Sequence, residues 1–551
     1  MVMPMMSCSR KFLFVLLVTA AAFAQKIAPP ADAASQVQRI FARFNHTDSP
    51  GCAVGASIDG ATVLHAAYGM ADLEHNIALS PDSVFEPGSV TKQFTAAAVL
   101  LLAQEGKLSL DDPVRRYLPE LPDYGTTITI RHLLNHTSGL RDWGSVAAIG
   151  GWPRTTRANS NLNVLDIASR QKALNYTPGA DYSYTNTGFN LAAVLVGRVA
   201  GKPLAEFTRE RIFIPLGMTS TEWRDDYQRI VHNRAIAYSQ TGGIIRQDMP
   251  FENAHGNGGL LTTVGDLLRW NRNFTEMKVG GPAIIQAQHQ QGRLNDGRTI
   301  AYAAGLMVLT HKGLREVSHS GSTAGYRGWL ARYPDERLSV ALLCNTGAAN
   351  PTQLGHAVAD VYLASVMPKP AAESVQIDSA SLQAKAGLYR SVRDRTTISI
   401  EFKDGHLELE RRGALEPLSA KAFALGEDAP VVEFDTDASL RMVTEEDQNN
   451  YYEKVERANP THTDLEAMTG EYASDEAEVT LKVALEPNGL VIRRRPDAII
   501  PLTPTYRDGF SSSLGSVRFI RDSAGHVIEM SIGESRVWDL RLRRIQDRGS
   551  R

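Results

Sequence analysis

The last third of the chain repeats itself, and that repeat limits what it can fold into. Leu382, Gly387 and Tyr389 recur as Leu465, Gly470 and Tyr472. Pro417-Leu418-Ser419 recurs as Pro501-Leu502-Thr503, and Val432-Glu433-Phe434 as Val517-Arg518-Phe519. The matches keep one order at offsets of 83, 84 and 85 residues, which chance hardly supplies. Units of about 80 residues that alternate strand after strand predict two duplicated, small antiparallel β-barrels or sandwiches, at 379–459 and 460–551.

A stretch rich in Pro, Ala and Ser at 366–378 reads as the linker before them. Upstream, 25–365 mixes signals. Asp59-Gly60 between two apolar runs predicts a tight hairpin, and Thr95 to Ala103 an apolar helix stopped by Gly106. Residues 328–333 and 338–343 read as strands across Pro334-Asp335-Glu336. Strands at both ends with helices between predict an α+β domain with one mixed sheet and a helix-rich insertion. A chain of 551 residues exceeds a single core, and 43% hydrophobic against 22% charged residues excludes wholesale disorder. A net charge of −3 gives no electrostatic case for nucleic acid or acidic lipid as partner. Arg493-Arg494-Arg495 reads as an exposed strand edge.

The first 24 residues read as an export signal. Arg10 and Lys11 precede the apolar run Phe12 to Ala24, which ends in Ala22-Phe23-Ala24 before Gln25. The run is too short to span a membrane, for which about 20 residues are needed. No later segment is long and apolar enough, so an exported protein, periplasmic or secreted, without a membrane span is expected. Cleavage removes two cations and no acid, moving the net charge from −3 to −5. Three cysteines, Cys8, Cys52 and Cys344, build neither a disulfide scaffold nor a thiolate metal site.

The sharpest local signal is Phe85-Glu86-Pro87-Gly88-Ser89-Val90-Thr91-Lys92. Pro-Gly breaks the preceding segment, Ser89 opens the apolar helix, and Lys92 lies one helical turn on, beside the Ser89 hydroxyl. A serine attacks only once a neighbouring base takes its proton, and a helix N-terminus offers N–H groups to a developing oxyanion. Ser-x-x-Lys by itself also describes a helix cap with a surface lysine. Two further segments bear on it: Tyr182-Ser183-Tyr184-Thr185-Asn186 after Pro178-Gly179, and Val317-Ser318-His319-Ser320-Gly321-Ser322 at the end of a strand pattern.

Ser-x-x-Lys, Tyr-x-Asn and His-x-Gly in this order resemble the three-part signature of the penicillin-recognising serine hydrolases, the class C β-lactamase-like family. Ile130 to Leu140 and Gly258 to Thr263 look like the same family, and the resemblance covers about 36–365. It implies a β-lactamase-like catalytic domain, an antiparallel sheet flanked by helices, with Ser89 as nucleophile and Lys92 and Tyr184 sharing proton transfer. The Tyr184 phenol would have to ionise below its usual value of about 10 to act as a base. Asn186 would hold Lys92 and a substrate amide, His319 stands where many lactamases carry lysine, and Gly321 and Ser322 complete the binding strand. The backbone N–H groups of Ser89 and Ser322 would form the oxyanion hole. In the family fold the first strand runs antiparallel to the last, so Cys52 and Cys344 are expected to bond in an oxidising compartment.

Two lipocalin-like barrels after the catalytic domain look most like the D-aminopeptidases. In those enzymes a barrel loop reaches the active site, and Arg507 to Ser513 is the candidate here, with a loop away from the site the other possibility. A histidine is mostly neutral at pH 7, so a site with His319 loses the lysine's fixed cation. That favours a small peptide, amide or ester substrate, through D-aminopeptidase-like or esterase activity on an acyl-enzyme. A β-lactamase or DD-carboxypeptidase, and a non-catalytic sensor of cell-wall fragments, stay open. No metal or cofactor is expected. His132 and His136 lack the intervening glutamate of a zinc helix, and Gly256-x-Gly258-Gly259 does not lead a strand into a helix.

Overall fold

The computed structural model describes residues 27–154, 156–368, 375–426, 430–444 and 449–545. Residues 1–24, where an export signal is expected, and positions 369–374 of the linker lie outside them. The first domain is organised by six antiparallel strands: β1 (Cys52–Ile58), β2 (Ala61–Tyr68), β3 (Met307–His311), β4 (Leu314–Thr323), β5 (Tyr326–Tyr333) and β6 (Leu338–Cys344). Their spatial order is β2-β1-β6-β5-β4-β3. The hairpin β1–β2 turns at Asp59 and Gly60, both with positive φ, the geometry that matches the strand twist.

Most helices of this domain lie in the stretch between β2 and β3. The central one, α1 (Lys92–Gln104), is buried all along Lys92 to Leu102, which is why its sequence is apolar on every side rather than striped. Gly106 behind it takes φ +70, the left-handed turn that ends a helix. A second helix, α2 (Asn186–Ala200), packs beside it, and α3 (Pro351–Leu363) covers the opposite face of the sheet. Ser89 does not open an α-helix directly; it sits in a 3₁₀ turn, Gly88–Thr91, that tightens the chain before α1.

Cys52 and Cys344 are register partners on β1 and β6 and are joined by a disulfide, Cα to Cα 4.0 Å. It closes 292 residues, so its removal relaxes a long loop in the unfolded chain. Replacing both cysteines by serine is expected to destabilise the first domain by about 2–4 kcal/mol. An unchanged thermal midpoint would refute this.

Downstream lie two antiparallel barrels. The first is closed, with eight strands between Gly387 and Val455; the second winds nine strands between Gly470 and Arg544 into one continuous sheet. The repeat is physical. Each barrel starts with a short helix, and the buried tyrosine of the strand that follows donates its hydroxyl to a helix carbonyl. Tyr389 bonds Lys385 O at 2.7 Å, and Tyr472 bonds Met468 O at 2.8 Å. Each tyrosine then meets the repeated phenylalanine, Phe434 or Phe519, edge to face. The second barrel is packed onto the first domain, taking Val146 and Ile149 into its own core. A buried ion pair joins Arg141 and Glu476 across that seam. No helix among the described residues is long and apolar enough to cross a membrane.

Candidate active site

Three segments far apart in sequence meet in a pocket of about 610 Å³. Ser89 comes from the 3₁₀ turn and Lys92 from the first turn of α1, where a side chain leans back towards the helix N-terminus. Lys92 is fully buried, and its Nζ donates to Ser89 Oγ at 3.0 Å, Asn186 Oδ1 at 3.0 Å and the Asn257 carbonyl at 2.8 Å. The two carbonyl oxygens only accept, whereas a hydroxyl both donates and accepts. The same contacts therefore suit an ammonium that donates to Ser89 and an amine that accepts its proton. A proton relay requires such indifference.

Tyr184 and Asn186 straddle the start of α2, which Thr185 caps by accepting from Thr187 N–H. His136 brackets this segment. Its Nδ1 accepts from Thr185 N–H at 3.2 Å, its carbonyl accepts from Ser183 N–H at 3.0 Å, and its ring lies 4.2 Å from that of Tyr184. His132 instead closes a capping box with Thr129. Burial first and Lys92 second hold His136 well below the usual imidazole range.

His319 is buried on β4, its ring 6.1 Å from that of Tyr184. The Ser320 carbonyl lies 2.6 Å from Nδ1 and can only accept, so Nδ1 carries the hydrogen and Nε2 accepts from Tyr302 hydroxyl at 3.0 Å. Burial, then Lys92, pushes its pKa down to about 3. His319 is thus neutral at pH 7. The pocket is not short of cations, however. Arg154, Arg327 and Arg536 line it, Arg154 paired behind the wall with the buried Glu252, and no carboxylate among the described residues lines it. The expectation that a neutral His319 empties the site of fixed positive charge is corrected by these arginines, which other segments supply.

Gly321 and Ser322 press directly on the turn that carries Ser89. A Cβ on Gly321 would stand 2.0 Å from Pro87 O and 2.6 Å from Ser89 N; one on Gly88, at φ +55, would stand 2.4 Å from Ser322 N. Only bare backbone permits this approach, and it sets the amides of Ser89 and Ser322 side by side, where two N–H groups can face one developing oxyanion. Beneath them the Glu86–Arg224 pair is buried, both side chains about 1% exposed, and Glu86 accepts Gly259 N–H at 3.1 Å. Lys92, Thr95 and Glu86 so pin 256–259, the glycine-rich segment that leads into the family-like stretch Gly258 to Thr263.

The loop expected to reach the site does not. Arg507 to Phe510 line a separate cleft of the second barrel, and Gly509–Ser512 is one of its strands rather than a loop. The turn of the hairpin Val527–Glu534 and Val537–Arg544 arrives instead, bringing Ser535 and Arg536 into the pocket. Tyr302, His136, Asn257 and Arg536 escaped the sequence reading as site residues. Only for His136 and Asn257 did the sequence hold a signal, their place inside otherwise recognisable motifs.

A profile of the Beta-lactamase family matches residues 37–364, more than half of the chain. Penicillin-binding protein 4* of Bacillus subtilis is 28% identical over 420 residues, 71% of this chain and 92% of that protein. D-aminopeptidase of Brucella anthropi is 26% identical over 532 residues, 91% of this chain and 96% of that protein. Among solved structures, an octameric penicillin-binding protein homologue from Pyrococcus abyssi superposes with TM-score 0.56 at 22% identity, covering 77% of this chain and 99% of its own. D-amino acid amidase of Ochrobactrum anthropi superposes with TM-score 0.53 at 23% identity, covering 61% and 99%.

Proposed function

Since the chain belongs to the Beta-lactamase family of serine hydrolases, we propose that it is an exported enzyme that cleaves small amide or ester substrates through an acyl-enzyme on Ser89. The observation that carries this reading is the contact of buried Lys92 with the Ser89 hydroxyl on the wall of an open pocket. Ser89 Oγ forms a bond to the substrate carbonyl carbon, and its proton passes to the Lys92–Tyr184 pair. The tetrahedral oxyanion rests on the amides of Ser89 and Ser322. Collapse breaks the bond to the leaving group, which takes up the proton; water then repeats the sequence and releases the acid. Asn186 holds Lys92 throughout.

The D-aminopeptidase likeness runs through the barrels as well as the catalytic domain, and supports a D-amino-acyl amide or peptide as the acyl donor. A second reading, a β-lactamase or DD-carboxypeptidase, is favoured by the three arginines of the pocket, which suit a substrate carboxylate. Export is supported by the N-terminal segment and by the Cys52–Cys344 bond, of a kind that persists in oxidising compartments. A fluorophosphonate is expected to add covalently to wild type at Ser89, located by peptide mass spectrometry. A parallel screen of a D-alanyl anilide, a short p-nitrophenyl ester and a chromogenic cephalosporin separates the two readings. Failure of every probe to modify Ser89 would refute the acyl-enzyme.

A further inference from the structure

The second barrel does more than lean on the first domain: it delivers one side chain to a fixed place. The backbone at Ser535 and Arg536 is tied on both sides. Asp142 N–H and Asn175 Nδ2 donate to the Arg536 carbonyl at 3.3 and 3.1 Å. Trp538 N–H donates to Asn175 Oδ1, and Trp538 Nε1 to the Ser535 carbonyl, both at 3.1 Å. With its main chain so held, Arg536 sets its guanidinium carbon 5.1 Å from the centre of the Tyr184 ring. Asp142, 3.8 Å from Arg536, also accepts the Asn186 N–H at 2.7 Å, which couples the hairpin to the start of α2.

The other groups around Tyr184 bear on its charge. Lys92 Nζ, from α1, lies 4.8 Å from the ring centre. His136, from the turn after residues 130–134, and His319, from β4, are held neutral. Tyr302 lies edge-on at 6.1 Å. Asp142 pairs with Arg536 at 3.8 Å; Glu534, on the same hairpin, bonds Ser145 and Ser535 and also feels Arg536, while burial raises its carboxyl above the usual range and so favours its neutral form. A pair of cations thus surrounds a phenol that must ionise to accept a proton, and one of them belongs to another domain.

We propose that Arg536 is a positioning residue of the catalytic centre, supplying from the second barrel the fixed positive charge that favours the ionised phenol of Tyr184 and that His319 does not provide. The inference rests on the acyl-enzyme reading above. An opposite charge at this range stabilises the phenolate, so its removal moves the acidic limb of the rate profile to higher pH.

The test is the rate of Ser89 labelling by an uncharged fluorophosphonate as a function of pH, a readout independent of substrate identity. Arg536→Gln is expected to move the acidic limb up by about one unit and to slow labelling about tenfold below it. Arg536→Lys is expected to restore most of the shift. Arg536→Met keeps the apolar stem over the ring and removes the charge, so it answers the question if the glutamine variant folds poorly. An unmoved limb in the Met variant, with labelling intact, would overturn the inference alone. So would a defect confined to a raised KM for carboxylate-bearing substrates, which would make Arg536 a substrate anchor. Labelling that persists in Ser89→Ala would instead overturn the acyl-enzyme reading.

Discussion

Exchanging Ser89 for alanine is expected to lower kcat/KM by about 10⁴-fold or more while the protein stays folded. The hydroxyl accepts from a buried amine and sits on the turn against which Gly321 and Ser322 press. Its removal leaves Lys92 bonded to Asn186 Oδ1 and the Asn257 carbonyl, so no buried charge loses all its partners. The stability cost should stay within about 1 kcal/mol. Steady-state kinetics with whichever screened substrate turns over fastest, beside a thermal unfolding curve, check both halves. Because Ser89 and Lys92 act as one unit, adding Lys92→Met to Ser89→Ala should reduce activity little further. A variant within tenfold of wild type would end the mechanism.

Gly321→Ala carries the second large effect, by another route. The new methyl would stand 2.0 Å from Pro87 O and 2.6 Å from Ser89 N, both backbone atoms, so no side-chain rotation relieves the clash. The turn bearing Ser89 must back away from β4, and the two oxyanion amides separate. Losing one such donor costs about 10²–10³-fold in kcat, and the forced shift costs about 1–3 kcal/mol of stability. Ser322→Ala keeps its amide and is the control, expected within a few-fold of wild type. Equal activities in the two variants would show that the close approach has no catalytic use.

Much of the architecture was legible because it is written locally or repetitively. The barrels show in the sequence through tyrosines and phenylalanines that recur at nearly constant offsets and touch in both copies. Ser89 and Lys92 are a helical turn apart, so their contact follows from covalent geometry. What stayed hidden depends on long-range register. Arg507-Asp508 and Ser535-Arg536 are both polar turns of one barrel, while Gly509–Ser512 of the candidate loop is a strand. The way the barrel seats on helix Trp143–Ile149 decides which turn meets Tyr184. The role of Tyr302, which donates its hydroxyl to Nε2 of His319, likewise depends on folding, not on any motif. The site's charge was hidden for a related reason: a three-residue signature reports the charge of its own strand, not the arginines that the neighbouring strand β5 and two turns bring.

Arg536 follows Ser89 by more than four hundred residues. During synthesis the serine, its lysine and the tyrosine all leave the ribosome well before the guanidinium exists, and β1 waits for β6 before its cysteine can find a partner. A nascent chain therefore holds Ser89, Lys92 and Tyr184 before the hairpin that carries Arg536 exists, and the guanidinium reaches the Tyr184 ring only once that hairpin has docked.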